Sequence, residues 1–183
     1  MPIPPEERET LLTLARQAVA AAVTGQAPPR PDQTAGVLAE TRGCFVTLHS
    51  GATLRGCIGT FTPSEPLGET IVKMAVAAAT QDPRFVGNRI MPDELDDVSV
   101  ELSVLSPLEP TGEPLKDVVA GTHGIYVKRG WQSGCFLPEV AIEMGWDVEQ
   151  FLDHCCASKA GLPPGAWREP DTQVFRFTTE KIA

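Results

Sequence analysis

The chain has no excess of positive charge. Its 15 Lys and Arg residues are outnumbered by 24 Asp and Glu, for a formal net charge of −9. Binding a nucleic-acid backbone as a main activity needs the opposite balance, because a basic face has to displace the phosphate counterions. That class is excluded. No apolar run approaches the ~20 residues that cross a bilayer. The start, Met1-Pro2-Ile3-Pro4-Pro5-Glu6-Glu7-Arg8, has no cationic segment leading into an apolar core. These absences predict a soluble, cytoplasmic protein with no membrane partner.

Also missing are the Gly-x-Ser-x-Gly nucleophile elbow, the phosphate loop and the dinucleotide Gly-x-Gly-x-x-Gly, which removes the usual hydrolase, nucleotide-hydrolysing and dehydrogenase classes. No Cys-x-x-Cys pair is present, and five cysteines are an odd number for a disulfide framework. They are read as thiols. The nearest approach to a ligand cluster is His154-Cys155-Cys156, but adjacent residues on a helix diverge by about a hundred degrees and cannot readily close on one ion. Helix packing is therefore preferred, and no metal or cofactor is predicted.

At 183 residues the chain fits a single domain over residues 1–183 with a real core; two lobes around a cleft would also satisfy the pattern. Leu11, Leu12, Leu14, Ala15, Ala18, Val19 and Ala22 fall at helical spacing over 6–23, between Pro4-Pro5 and Gly25. Gln26 to Thr34 reads as a polar, proline-containing crossing. Cys44 to His49 and Leu54 to Ile58 flank a Ser50-Gly51-Ala52-Thr53 turn as a hairpin, and 67–80 is an Ala-rich buried helix. The clearest strand is Val98 to Leu105, with Val98, Val100, Leu102 and Val104 alternating against Ser99, Glu101 and Ser103. Pro107 to Pro114 is a loop. A second hairpin pairs 124–128 with 132–137. Asp147, with Gln150 in the reciprocal position, opens a helix to Ala160 that Gly161 ends. The last strand is 173–178. Strands in hairpins with helices between them define an α+β class, mainly antiparallel sheet with flanking helices. The N-terminal helix and the last strand are expected in one lobe.

The most informative segment is Leu54-Arg55-Gly56-Cys57-Ile58-Gly59. Alternation puts Arg55 and Cys57 on one strand face. A guanidinium near a thiol favours the thiolate, while Gly56 and Gly59 weaken a strand unless a bulge, a bend or a close approach requires them. Cys57 is either a small buried hydrophobe or a nucleophile activated by Arg55. His123, between Gly121 and Gly124, is the candidate base, or else a hydrogen-bonded loop histidine. Arg84, in Asp82-Pro83-Arg84-Phe85, is either held outward or paired with Asp82. Arg55 must pair or reach water. Glu101 and Ser103 share a polar face that lines a pocket or meets solvent. Arg55 and Arg84 converging on an anion, with Gly56 and Gly59 letting backbone N–H groups approach it, define the proposed ligand site.

The hexapeptide closely resembles the signature of the AMMECR family, whose bacterial and archaeal members are called AmmeMemoRadiSam system protein A. Gly43-Cys44-Phe45-Val46-Thr47-Leu48 precedes it in the family's order. Ala78-Ala79-Thr80-Gln81-Asp82-Pro83-Arg84-Phe85, Val100-Glu101-Leu102-Ser103-Val104-Leu105, His123-Gly124-Ile125, Phe136-Leu137-Pro138 with Gly145-Trp146-Asp147, and Lys159-Ala160-Gly161-Leu162 follow. The resemblance covers nearly the whole chain. It implies an AMMECR-like fold and participation in a system with a Memo-like, dioxygenase-related partner and a radical-SAM protein. Three functions follow as expectations: a cleft at Leu54–Gly59 that binds a small anionic ligand or modifies a substrate, a non-catalytic adaptor for a protein partner, and a Cys57-dependent hydrolase or transferase.

Overall fold

Pro5 and two acidic residues in the first turn start helix α1, Pro5–Thr24, and Gly25 ends it at φ 71°, a left-handed cap conformation that glycine adopts without strain. In this computed structural model, which describes residues 3–32 and 36–183, the chain divides into two compact units. One runs up to Leu105 and takes back Glu180–Ala183; the other is Ser106–Thr179. Part of the expected 26–34 crossing lies outside the described residues.

In the first unit, β1 (Cys44–Ser50) and β2 (Thr53–Thr60) form the expected hairpin. Helix α2 is Leu67–Thr80 and β3 is Val98–Leu105. The sheet order is β2-β1-β3-β8, with β8 the short terminal strand Thr179–Ile182, so β2 and β8 are edges. Cys44, Val46 and Leu48 of β1 and Val100, Leu102 and Val104 of β3 turn their buried side chains to α1 and α2. The opposite face carries Phe45, Thr47 and His49.

The second unit has a sheet ordered β4-β7-β5-β6. Its strands are β4 Glu109–Thr111, β5 Gly124–Arg129, β6 Gln132–Phe136 and β7 Gln173–Phe177. Helices α3 (Pro114–Asp117), α4 (Pro138–Met144) and α5 (Val148–His154) accompany it. Asp147 and Gln150 cap α5 reciprocally, at 2.8 and 3.1 Å. The expected helix to Ala160 changes character at Cys155: its last six residues are wound as a wider π turn, closed by Gly161 at φ 66°. Cys155 and Cys156 are buried in this unit's core, and His154 stacks on Trp146 at 4.0 Å.

The α+β class with two four-stranded antiparallel sheets is therefore as the sequence predicts. Four short elements were not foreseen: β4 inside the expected 107–114 loop, α3, α4, and β8. The lobe assignment of the last predicted strand also needs correction. Residues 173–177 belong to the second unit and not to that of α1, and it is β8 that returns to the unit of α1. None of the helices among the described residues is long and apolar enough to cross a membrane.

Gly56 sets how closely α2 approaches the sheet, since a Cβ there would lie 2.2 Å from the Ala78 carbonyl oxygen. Neither backbone yields cheaply. Gly56→Ala is expected to cost about 3 kcal/mol, the upper range for overpacking. Gly87→Ala, where nothing lies within 4 Å, should stay within about 0.5 kcal/mol. Urea unfolding of the two variants checks the contrast, and equal losses would refute the close-approach role.

Candidate functional site

The signature strand departs from simple alternation. β2 pairs with β1 through Thr47↔Cys57 and Leu48↔Gly56, but the next pair is His49↔Leu54, which leaves Arg55 as the extra residue of a bulge. The bulge takes Arg55 out of line with Cys57. Arg55 is only 7% exposed, and its two terminal nitrogens hold both oxygens of Glu94 at 2.8 and 3.2 Å. Ser50 Oγ, at 3.2 Å, and the Arg89 carbonyl, at 3.4 Å, accept further bonds. Its Nε is buried with no hydrogen-bond partner among the described residues. Glu94 also accepts the Met91 N–H at 2.8 Å, so this pair staples the bulge to the turn Pro92–Asp97.

The cation beside Cys57 is Arg84. Asp82, 4% exposed, uses one carboxylate oxygen to accept the Cys57 N–H at 2.9 Å and Arg84 Nη2 at 2.7 Å; the other accepts the Arg84 N–H at 3.1 Å and Nε at 3.0 Å. Arg84 Nη2 also donates to the Cys57 carbonyl at 3.2 Å. Carboxylate and guanidinium thus occupy the acceptor and donor positions that a neighbouring strand would supply to this edge. The Asp82 carboxyl is held well below the ordinary range, first by the Arg84 side chain and then by the backbone N–H groups of Cys57 and Arg84, against the opposing effect of burial. The Arg84 side chain remains 54% exposed. The Cys57 side chain lies within its hydrogen-bonding and electrostatic reach.

Cys57, half-buried, sits on the sheet face turned away from the core. Thr47, opposite it, donates its hydroxyl to Sγ at 3.4 Å. On the other side of Thr47 the register brings Glu101, which pairs with Lys181 at 3.8 Å. The structure therefore brings Cys57, Arg84 and Glu101 to one row with Thr47. Ser103, on the same face, is 4% exposed. Gly59 lies beneath the Phe45 ring, where a Cβ would come within 2.2 Å of a ring carbon. His123 belongs to the second unit, where its Nδ1 accepts the Val119 N–H at 3.0 Å. Burial foremost, and Arg176 next, hold its pKa below the usual histidine range. Asp82 and Glu94 are the residues that the sequence reading did not assign to the site. The Asp-Pro-Arg order signalled the first, and nothing local signalled the second. Recesses of about 490 and 530 Å³ are lined by residues of α1, α2 and the segment around Pro28–Asp32; neither lining includes a signature residue.

The AMMECR1 family model matches residues 12–182. A protein of Methanothermobacter thermautotrophicus is 43% identical over 185 residues, spanning 98% of this chain and 95% of its own. One of Thermococcus gammatolerans is 44% identical over 182 residues, spanning 94% and 87%. The crystal structure of an uncharacterised protein from Pyrococcus horikoshii matches with a TM-score of 0.80 at 41% identity, covering 98% of this chain and 92% of that one. The chain belongs to the AMMECR1 family.

Two outcomes follow from the ion pairs. Asp82→Asn should cost about 2 kcal/mol near neutral pH, by weakening charge-assisted bonds to buried N–H groups. Because the folded carboxyl titrates below its unfolded value near 3.9, its contribution is complete above that value and disappears as pH falls below it. The variant and the parent should therefore converge in acid. Glu94→Gln should lower the melting temperature more than Arg55→Met, since only the first leaves a buried guanidinium without its counter-charge. Calorimetry across pH measures both, and the reverse order for the second pair would contradict the staple.

Proposed function

We propose that this AMMECR1-family chain binds a small anionic ligand on the polar face of its first sheet, beside Cys57, with Arg84 as the binding cation. The carrying observation is that Arg84 is held by three side-chain bonds, two to Asp82 and one to the Cys57 carbonyl, yet stays half exposed beside the Cys57 side chain. A guanidinium held in this way offers a directional donor with its ordering cost already met by the fold. Arg55 does not share the role, because it is buried and Glu94 holds both of its terminal nitrogens. A modification pathway with Memo-like and radical-SAM proteins is supported by the family resemblance. In the adaptor reading the same strand is a packed scaffold and Arg84 meets no small ligand.

Alkylation of Cys57 by anionic iodoacetate and by neutral iodoacetamide separates these. Relative to the urea-unfolded chain, the native protein should favour the anionic reagent by about threefold, the scale of one exposed charge contact. Arg84→Gln should abolish the preference, and Arg84→Lys should keep part of it. An unchanged ratio in native and unfolded chain would reject the site.

A further inference from the structure

We propose that Cys57 is a hydroperoxide-reactive thiol, with Thr47 and Arg84 as the donors that support cleavage of the O–O bond. The inference deepens the anion-site reading and rests on it: the anion that Arg84 receives is the oxygen leaving the peroxide.

Of the five cysteines, Cys44, Cys155 and Cys156 are buried, and Cys57 and Cys135 are half-buried. Burial pushes the thiols of Cys44 and Cys135 up to about 12, and those of Cys155 and Cys156 upward as well. These four stay protonated, and the thiolate is the attacking species. Cys57 lies on the open sheet face with a hydroxyl donating to its sulfur at 3.4 Å and a guanidinium at its own carbonyl, 3.2 Å away.

The chemistry around the sulfur selects the reaction. Acyl transfer by a thiol needs a group that carries a proton to the leaving amine or alcohol. The Thr47 hydroxyl bonds the sulfur, Asp82 accepts the Cys57 backbone N–H, and Arg84 reaches both the Cys57 carbonyl and its side chain. Asp82 holds its proton too weakly to serve, and Arg84 does not release one. Glu101, next along the row, is occupied with Lys181. Two fixed donors beside a sulfur nucleophile instead match a peroxide, whose weak O–O bond needs stabilisation of a developing oxyanion rather than a strong acid. In the step, sulfur bonds to the nearer peroxide oxygen and the O–O bond breaks. Sulfur is oxidised by two electrons to a sulfenic acid and the peroxide is reduced. The proton first carried by the thiol ends on the departing oxygen, giving water from hydrogen peroxide or an alcohol from an organic hydroperoxide.

The test treats the full-length native chain with hydrogen peroxide, traps sulfenic acid with dimedone and maps the adduct by peptide mass spectrometry. The adduct should concentrate at Cys57 and form about a hundredfold faster than in the urea-unfolded chain, the scale of a preorganised oxyanion donor. Thr47→Val, which keeps shape and removes the hydroxyl, and Arg84→Gln should each slow it by about tenfold or more. Arg84→Lys should fall between, and Cys57→Ser should give no adduct at that position. Thr47→Val keeps the test informative should Arg84→Gln unfold. Oxidation of Cys57 no faster than in the unfolded chain, or unaffected by Thr47→Val, overturns the proposal. If the iodoacetate preference survives that result, the peroxide chemistry falls and the anion site stands; loss of both rejects both.

Discussion

The first unit depends on one buried carboxylate. β2 is an edge strand, and an edge exposes backbone groups that must find partners or remain a template for other chains. Asp82 meets that need at Cys57 by accepting its N–H at 2.9 Å, and through Arg84 it delivers a donor to the same residue's carbonyl. A buried ion pair by itself is weak evidence of stability, because desolvation offsets attraction. Here the carboxylate gains from more than the pair: it also accepts two backbone N–H groups. That is why it is ionised far into acid.

The composition of the signature then follows from its neighbours. Arg55 is the extra residue at the bulge and ties it to Glu94. Gly56 admits the α2 backbone, and Gly59 admits the Phe45 ring. Cys57 is left half-buried on the polar side of the sheet. Most of what makes the motif unusual as a strand is thus packing, and that packing fixes the position of a single thiol. The connection from α2 to β3 is held to β2 at two places, through Asp82 with Arg84 and through Glu94.

Periodic elements were legible in the sequence and paired ones were not. Helix α2 and strand β3 have the bounds that their 3.6- and 2-residue patterns predict, because each buries one face against a continuous core. The reciprocal cap at Asp147 was equally plain. Strands β4 and β8 span three and four residues, too short for a period to register, and they form because a partner strand is already in place. The bulge at Arg55 lies in the register between two strands, a property that one strand's sequence does not contain. Glu94 is 39 residues from Arg55, so no local pattern announced the pairing. Alternation pointed to Arg55 as the guanidinium beside Cys57, but the bulge takes Arg55 out of line and the guanidinium found there is that of Arg84, 27 residues away in the chain.

This exchange alters the kind of electrostatics the site can use. Arg55, two residues from the thiol, would have supplied an uncompensated charge had it been free. Arg84 arrives already paired with an ionised carboxylate, so the pair is neutral at distance and, in a chain of net charge −9, does little to steer anions from solution. What remains is short-range: a directional N–H from a guanidinium that cannot reorient without giving up its bonds to Asp82, next to a hydroxyl that donates to sulfur. Such an arrangement acts at contact, on an anion already seated beside Cys57 and most on negative charge that develops within hydrogen-bond reach. The constraint that closes the sheet edge is therefore also the one that holds a donor in place beside Cys57.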